Sequence, residues 1–197
     1  MRVWRALRNT ALDLQYGRPL AGTIRTRYGH LGAFHVTNSQ YEDLPVLFAA
    51  AALTPEDVVV DVGCGKGRVL NWLLRHHPDN RLVGIELDAE VCARTQHRLR
   101  RRDNVTVLCG DATELLPADG TVFYLFNPFD ERVLRRFADV LLERTVPTRM
   151  RVVYYHSKFL DVFHADPRFG VEEITLPSRS QPSALIRVAG APGSPST

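Results

Sequence analysis

The sequence contains no uninterrupted apolar stretch of about 20 residues, the length that a helix needs to cross a bilayer. Residues 1–8 also lack the continuous apolar segment of a secretory signal. We therefore expect a soluble, cytoplasmic protein without a membrane partner. Its 197 residues, of which 45% are hydrophobic, suffice for one sizeable core but are few for two, so we expect one domain.

Cysteine is scarce, and its spacing predicts neither a disulfide framework nor a metal site. Cys64, Cys92 and Cys109 are odd in number, and their spacing does not fit a set of zinc ligands. We predict reduced thiols with structural roles and no bound metal. Cys64 lies among glycines, where a small apolar side chain suits a tight turn better than a redox nucleophile does.

Lysine is almost absent, since Lys66 and Lys158 are the only two among 25 basic residues, against 22 acidic ones. The net charge of +3 therefore comes from arginine. The run at residues 98–102 ends a predicted helix, where basic side chains favour the negative helix terminus and face water. No aromatic residues alternate with these arginines, so the sequence predicts no nucleic-acid surface.

The most informative segment is residues 58–70, where an apolar run is followed by an acid, glycines at every second position and a helical pattern. This order predicts a buried strand, a glycine-rich turn and a helix, which together hold a nucleotide-like ligand. A dinucleotide fingerprint needs a small residue where Arg68 stands, so a pyrophosphate ligand is disfavoured. Asp61 would repel a phosphate but suits a cationic amino group.

At these residues the chain resembles the class I S-adenosylmethionine-dependent methyltransferases. The resemblance implies that S-adenosylmethionine is the cofactor, because this molecule carries an ammonium and a sulfonium group and no phosphate. It implies that Asp61 and the turn formed by Gly63, Cys64, Gly65 and Gly67 bind the methionine portion.

Two further strand ends lie where that family expects cofactor ligands. Glu86 ends a predicted strand 25 positions after Asp61, a spacing that suits one strand-helix-strand unit with its acid on a ribose diol. Asp111 follows the third predicted strand and resembles the adenine-binding position, with Asp111 accepting from the exocyclic amine and the Ala112 backbone N–H contacting a ring nitrogen. A single strand-terminal acid is more often a helix cap, but three in order strengthen the prediction.

The fourth predicted strand ends in the sequence Asn-Pro-Phe-Asp at residues 127–130. In related enzymes such a segment orients the methyl acceptor, which makes Asn127 and Phe129 candidate catalytic residues and places Asn127 in the cofactor site as well. Related enzymes that methylate adenine or glutamine nitrogens usually carry two prolines before the aromatic residue, whereas here Phe129 directly follows a single proline. This difference argues against adenine or glutamine as the acceptor. The structural alternative is a turn in which Asn127 or Asp130 caps the next helix. His156 is the candidate general base.

The predicted fold is α/β, with a Rossmann-like, mostly parallel seven-stranded sheet flanked by helices and an antiparallel C-terminal edge hairpin. Strands are predicted at residues 121–126, 150–155, 171–176 and 184–189, and a helix at 131–144. Residues 1–53 are expected to form an N-terminal helical extension or lid, 54–189 the cofactor-binding domain and 190–197 a disordered tail.

The N-terminal extension is assigned by periodicity and by cap signals. Apolar residues at helical spacing predict an amphipathic first helix whose apolar face packs on the sheet domain, covers the substrate site or, as the third alternative, lies on a membrane surface. A capping box at residues 39–42 predicts a helix over 40–53. Thr37, Asn38 and Tyr41 are candidate cofactor contacts.

The resemblance thus predicts a methyltransferase that acts on an N or O nucleophile, with a small molecule as the preferred acceptor and protein or RNA as alternatives. A non-catalytic protein with a nucleotide-binding fold and an NAD-dependent oxidoreductase remain alternatives from other classes. The sequence leaves the oligomeric state open.

Overall fold

A seven-stranded sheet with helices on both faces forms most of the protein in the computed structural model, which describes residues 2–15, 20–143, 149–178 and 181–189. The strands are β1 (Val58–Val62), β2 (Arg81–Glu86), β3 (Val105–Cys109), β4 (Val122–Phe126), β5 (Arg151–Tyr155), β6 (Phe169–Ile174) and β7 (Ser183–Val188). The α-helices are α1 (Arg2–Gln15), α2 (Leu44–Ala51), α3 (Arg68–His76), α4 (Ala89–Leu99), α5 (Ala112–Leu115), α6 (Glu131–Glu143) and α7 (Asp161–His164).

The strand order is β3-β2-β1-β4-β5-β7-β6. The first five strands pair in parallel, and β7 pairs antiparallel with both β5 and β6. The predicted fold class is therefore confirmed, including the C-terminal hairpin at the sheet edge. The strands of the hairpin begin one or two residues earlier than the sequence predicts.

Strand β4 shows how the sequence builds the two layers of the core. Val122 and Tyr124 face the layer that contains α2 and α3, whereas Phe123 and Leu125 face the layer that contains α6 and α7. Both faces of a parallel sheet are covered by helices, so a central strand must be apolar on both sides. This requirement explains the continuous apolar runs in the sequence.

Helix α1 forms as predicted, but its apolar face does not pack on the sheet domain. Trp4, Leu7 and Leu14 are 78%, 57% and 57% exposed, and Ala11 between them is exposed as well. The inward face instead carries Asp13, which is fully buried. The expectation that the apolar face of this helix covers the domain or its site is therefore wrong.

The reason is a buried ion pair that fixes the orientation of α1. The Asp13 carboxylate accepts from Arg68 Nη2 at 2.6 Å and from Arg68 Nε at 3.0 Å, and both side chains are almost completely inaccessible. Tyr41 Oη and the Leu20 backbone N–H donate to the same carboxylate. Turning α1 over would leave the Asp13 carboxylate and the Arg68 charge without their partners, at a cost of several kcal/mol that offsets much of the gain from burying Trp4, Leu7 and Leu14.

Helix α2 begins later than the capping box predicts. Ser39 Oγ lies 2.7 Å from Tyr124 Oη and does not cap a helix, and the helix starts at Leu44 with Pro45 in its first turn. Asp43 precedes the helix and is also fully buried, where it accepts from Tyr155 Oη and from the Ser178 backbone N–H. Long-range hydrogen bonds therefore displaced the local cap.

Cys92 and Cys109 form a disulfide, which corrects the prediction of reduced thiols at these two positions. The bond joins α4 to the end of β3, so it spans elements that are adjacent in space and 17 positions apart in sequence. Cys64 is a free, buried cysteine, as expected, and burial raises its pKa well above the ordinary value.

Three sequence predictions fall outside the described residues: an end of the first helix at residues 16–19, where the sequence contains glycine and proline, the last residue of the helix predicted at 131–144, and the tail at 190–197. Within the described part of the chain, no helix combines the length and the apolar character needed to cross a bilayer. The division at residue 53 stays a prediction.

Candidate active site

A cavity of about 200 Å³ lies at the carboxyl ends of the parallel strands. Its wall includes residues that follow β1, β2, β3 and β4, among them Gly63, Asp88, Asp111 and Pro128. In the order β3-β2-β1-β4 the direction in which successive strands are added reverses between β1 and β4, and such a switch point forms a crevice for ligands. The topology thus places the cavity where the glycine motif predicts a binding site.

The glycine-rich turn after β1 requires glycine for conformational and steric reasons. Gly63, Gly65 and Gly67 have φ values of 75°, 51° and 71°, a region that side chains other than glycine rarely adopt. A Cβ atom on Gly65 would lie 2.5 Å from Val36 Cγ1, and one on Gly63 would lie 2.9 Å from Pro128 Cβ. The turn therefore packs tightly against the N-terminal segment and the end of β4.

Four backbone N–H groups of this turn donate hydrogen bonds within the protein. Gly63 and Cys64 both donate to the Ile85 carbonyl, Gly65 donates to Glu86 Oε2, and Gly67 donates to the Cys64 carbonyl. A phosphate-binding loop needs such N–H groups directed at the ligand. The geometry supports the sequence argument against a pyrophosphate ligand.

Asp61 lies beneath the turn, in the last part of β1, and is 3% exposed. Among the described residues, none hydrogen-bonds its Oδ2 atom. Burial, with a smaller effect from the nearby Glu86 carboxylate, raises the pKa of Asp61 to about 8. A buried carboxyl that lacks a partner and resists ionisation is stabilised by a cation placed beside it. Asp61 does not itself line the cavity, whereas its neighbours Val62 and Gly63 do.

Glu86 lines the cavity at the end of β2, but its carboxylate is turned toward the backbone. Oε2 accepts from Gly65 N at 2.8 Å, and Oε1 accepts from Asp88 N at 2.9 Å. Burial raises the pKa of Glu86, and the hydrogen bonds from Asp88 and Gly65 oppose this effect. The sequence predicts a side chain that faces ribose, whereas the structure shows one that also ties the glycine turn to β2.

Asp111 and Ala112 line the same cavity at the end of β3. Asp111 caps α5, since its Oδ1 accepts from both the backbone N–H and the hydroxyl of Thr113. Its Oδ2 lies 3.9 Å from Arg136 Nη1. Asp111 thus has a capping role and a place on the cavity wall, and its predicted contact with adenine stays a prediction.

Residues 20–38 cover the cavity. The sequence predicts only a loop for residues 28–38, which contain two glycines and no clear apolar period. Ile24 and Val36 exchange two backbone hydrogen bonds of 3.0 Å, and the Phe34 N–H donates to the Pro128 carbonyl at 2.9 Å. Lys66 Nζ donates to the carbonyls of Ala21 and Gly22. These bonds fix the covering segment to the glycine turn and to the end of β4.

The three candidate cofactor contacts of the N-terminal region have different surroundings in the structure. Thr37 lines the cavity. Asn38 donates to the carbonyls of Leu20 and Gly22 and so holds the covering segment. Tyr41 is buried against Asp13 and Arg68, with the Arg68 guanidinium 4.9 Å from its ring centre. Neither Asn38 nor Tyr41 lies on the cavity wall.

The segment after β4 divides its side chains between the cavity and the protein interior. Phe126, Pro128 and Phe129 line the cavity, whereas the Asn127 amide oxygen accepts from Tyr154 Oη at 3.0 Å. Asp130, and not Asn127, caps α6 through a 2.9 Å bond from the Val133 N–H. The structure therefore assigns the capping role to Asp130 and leaves Asn127 without one.

Asn127 and His156 both adopt left-handed backbone conformations, with φ values of 42° and 53°. They follow Phe126 and Tyr155, which are paired across β4 and β5. Such conformations cost about 1–3 kcal/mol in residues other than glycine and concentrate at functional sites. The His156 ring packs edge-on against Phe126, and burial lowers its pKa, but the residue does not line the cavity.

Several cavity residues escaped the sequence analysis, including Asp88, Phe34, Val36 and Arg132. Asp88 caps α4 through bonds from Glu90 N and Val91 N, and a cap signal two residues after Glu86 was the clue available. Phe34 and Val36 belong to a segment without periodicity, so their positions depend on tertiary contacts. Cys64 lies in the turn, but packs toward Gly84 and not into the cavity.

The residues present fit S-adenosylmethionine. Asp61 supplies a buried carboxyl whose ionised form a cation would stabilise, and Glu86, Asp88 and Asp111 line the part of the cavity near β2 and β3. The part near β4 is apolar and aromatic. The fold and the site together define a Rossmann-like protein whose cavity suits a cationic nucleoside.

Comparison with known proteins agrees with this class. A family model described as a methyltransferase domain matches residues 59–143. A tRNA (guanine-N(7)-)-methyltransferase of Brevibacillus brevis is 36% identical over 76 residues, which cover 36% of each chain. An RNA methyltransferase from Salinibacter ruber in complex with S-adenosyl-L-homocysteine has a TM-score of 0.59 at 20% identity, covering 78% of this chain and 94% of that chain. The mitomycin 7-O-methyltransferase has a TM-score of 0.57 at 16% identity, covering 75% and 54%.

Residues 59–143 therefore match the methyltransferase-domain family, and the chain has the fold of solved S-adenosylmethionine-dependent methyltransferases. The family and the cofactor predicted from the sequence are confirmed. The matched segment spans about a third of the length of the Brevibacillus enzyme, so the activity and its acceptor are taken up as proposals.

Proposed function

We propose that the protein transfers the methyl group of S-adenosylmethionine to a nitrogen or oxygen nucleophile of a small molecule. The observation that carries the proposal is the buried Asp61 carboxyl beneath a glycine turn in which the N–H groups of Gly63, Cys64, Gly65 and Gly67 are bonded within the protein. This combination favours a cationic ligand over a phosphate. When bound, the cofactor supplies a methyl group on a positively charged sulfur, which a nucleophile displaces in line.

The residues of the chain then act by binding and orientation. Asp61 stabilises the cationic amino group, Glu86 and Asp88 offer carboxylates to the ribose, and Asp111 with the Ala112 N–H reads the adenine edge. Orientation alone can account for about 7–11 kcal/mol of a barrier when the geometry is well held. No strong base is required unless the acceptor must lose a proton.

The end of β4 is the proposed acceptor region. Phe34, Phe126, Pro128 and Phe129 form an apolar wall there, and the covering segment narrows access to it. An enclosed apolar wall favours a small acceptor with an apolar or aromatic part. Asn127, held by the Tyr154 hydroxyl, is proposed to align the acceptor, and Phe129 to pack against it. His156 is retained as the candidate general base, although it lies behind Phe126 and does not line the cavity.

RNA is a second candidate acceptor. The name of the Brevibacillus relative gives guanine in tRNA as its acceptor. In this chain Arg132 and Arg136 lie on the cavity wall, where they can contact phosphates. The tight cover over the cavity favours the small molecule, since a base must leave its stack to enter such a site.

Binding experiments separate the classes first. Calorimetry with S-adenosylmethionine and S-adenosylhomocysteine is expected to give a clear signal, and NAD none. A signal with NAD alone would assign the protein to the oxidoreductases and overturn the proposal.

Turnover and acceptor are tested with labelled S-adenosylmethionine and a fractionated cell extract. We expect label in the small-molecule fraction after treatment with ribonuclease and protease. Label that disappears with ribonuclease treatment identifies RNA as the acceptor. Cofactor binding without label in any fraction would support the non-catalytic alternative.

A further inference from the structure

The outward face of α1 is an apolar stripe that stays exposed in the described structure. We define the outer stripe as Trp4, Leu7, Ala11 and Leu14, all of which are exposed. At 100° per residue these four positions fall on one side of the helix, opposite Asn9 and Asp13. Large apolar side chains grouped on one surface mark an interaction site more often than scattered ones do.

The helix cannot turn the outer stripe inward without breaking its polar contacts. Asp13 is bound to Arg68, and Asn9 Nδ2 donates to Gln40 Oε1 at 2.7 Å. Leu12, on the same side, packs against the core. These inward contacts fix the orientation of α1, so the outer stripe faces away from the domain. A partner can therefore reach it while α1 stays in place.

Helix α1 carries a net positive charge. Its sequence contains arginine at positions 2, 5 and 8 and a single acid, Asp13, whose charge is compensated inside the protein by Arg68. The Arg8 side chain is 65% exposed at the border of the outer stripe. The combination of tryptophan and leucine with arginine and no exposed acid is typical of helices that lie in a membrane interface.

Other occupants fit less well. A helix of 14 residues is about 21 Å long, and one stripe of three large side chains falls short of the roughly 800 Å² per partner that a stable dimer buries. A nucleic acid would contact arginine and stack on Trp4, but leucines at positions 7 and 14 offer no stacking surface.

We propose that the outer stripe binds the surface of an anionic phospholipid bilayer, with α1 lying in the plane of the headgroups. This departs from the sequence expectation that the protein has no membrane partner, and it does not depend on the proposed methyl transfer. The apolar side chains enter the boundary between headgroups and acyl chains, while Arg8 at the border of the outer stripe contacts a lipid phosphate.

Vesicles of phosphatidylglycerol mixed with phosphatidylcholine test the proposal, with pure phosphatidylcholine vesicles beside them. The protein is expected to sediment with the anionic vesicles at low salt and to be released by added salt. Trp4 emission should shift to shorter wavelength on binding, whereas Trp72 is already buried. Trp4→Phe should remove this shift.

The decisive variant is the double substitution Leu7→Gln and Leu14→Gln, which should weaken vesicle binding more than about tenfold. Arg8→Gln should weaken it roughly fivefold. Ala93→Gln, on the exposed surface of α4, is the matched control and should bind like the original protein. Thermal melting with S-adenosylhomocysteine verifies that every variant is folded.

Three outcomes would overturn the proposal. The first is no sedimentation with anionic vesicles at low salt. The second is equal binding by the original protein and the double variant. The third is a concentration-dependent dimer, or a complex with RNA, that the double variant loses while vesicle binding is absent.

Discussion

Asp13 of α1 and Arg68 of α3 form a buried ion pair across 55 positions of sequence, with 2.6 Å between Asp13 Oδ2 and Arg68 Nη2. Arg68 stands where a dinucleotide-binding loop would have a small residue, directly after the glycine turn. The residue that excludes one ligand class by sequence therefore also anchors the N-terminal helix.

Asp13→Asn should lower the free energy of unfolding by about 3–5 kcal/mol, because it leaves the Arg68 charge buried without its partner. Glu42→Gln is the matched control, since Glu42 forms a looser pair of 3.9 Å with an exposed Arg8 and should cost at most about 1 kcal/mol. Urea unfolding measures both. Similar small losses in the two variants would contradict the role assigned to Asp13.

Asp61 should make cofactor binding depend on pH. In the free protein its pKa is raised to about 8, so the carboxyl is largely protonated at pH 7, and this group lowers folding stability as the pH rises from about 4 to 8. A bound cation favours the carboxylate, so binding should release a proton. Affinity should then rise with pH by up to about tenfold per unit between pH 5 and 7.

Calorimetry in two buffers with different ionisation enthalpies measures the released proton. Asp61→Asn keeps the shape of the side chain and should abolish both the proton release and the pH dependence. An original protein whose affinity is constant across this range would show that no cation binds beside Asp61.

Two substitutions at Glu86 should separate its structural and binding roles. Glu86→Ala removes the acceptor for the N–H groups of Gly65 and Asp88 and should cost about 1–3 kcal/mol of stability as well as cofactor affinity. Glu86→Gln keeps one acceptor and should mainly lower affinity. Calorimetry and urea unfolding on both variants test this, and unchanged affinity in folded Glu86→Gln would remove the residue from the site.

Asn127→Ala should lower the rate of methyl transfer much more than it changes cofactor affinity, because the cofactor is held by other strand ends. Asp130→Ala is the matched control: it removes the α6 cap and should cost about 1 kcal/mol of stability without altering the rate in folded protein. Single-turnover transfer and thermal melting are measured on both. If Asn127→Ala lowers only the melting temperature, its proposed role in alignment is wrong.

Breaking the Cys92–Cys109 bond should lower stability by about 3 kcal/mol, the value expected for a loop of this length. It should also weaken cofactor binding, since Cys109 directly precedes the cavity residues Gly110 and Asp111. Unfolding and calorimetry with and without a reducing agent measure these effects. The double variant Cys92→Ser, Cys109→Ser should resemble the reduced protein and no longer respond to the reductant; a response would point to an effect elsewhere.

The fold was predictable because the apolar runs of β1, β2, β4 and β5 are set by burial on both faces of the sheet. The predicted cavity acids at positions 86 and 111 also lie together, because parallel strands bring their carboxyl ends to one edge. These features depend on local pattern and on general rules of topology. They need no knowledge of particular distant contacts.

The errors arose where a distant residue decided the outcome. Ser39 fits the local pattern of a capping box, but its hydroxyl is hydrogen-bonded to Tyr124, 85 positions away. The periodicity of α1 correctly predicts a helix, yet Arg68 determines which face turns inward. The Cys92–Cys109 spacing has no signature of its own, and the direction of the Asn127 side chain depends on Tyr154.

The inward use of the glycine-turn amides has a consequence for selectivity among adenosine compounds. Adenosine triphosphate and S-adenosylmethionine share the same base and sugar, so the acids after β2 and β3 alone would hold either molecule. The turn offers the phosphate chain no free donors from Gly63, Cys64, Gly65 or Gly67 and places a carboxyl beneath it. In a mixture rich in nucleotides, the site should therefore select S-adenosylmethionine over adenosine triphosphate because these four N–H groups are not free to bind phosphate.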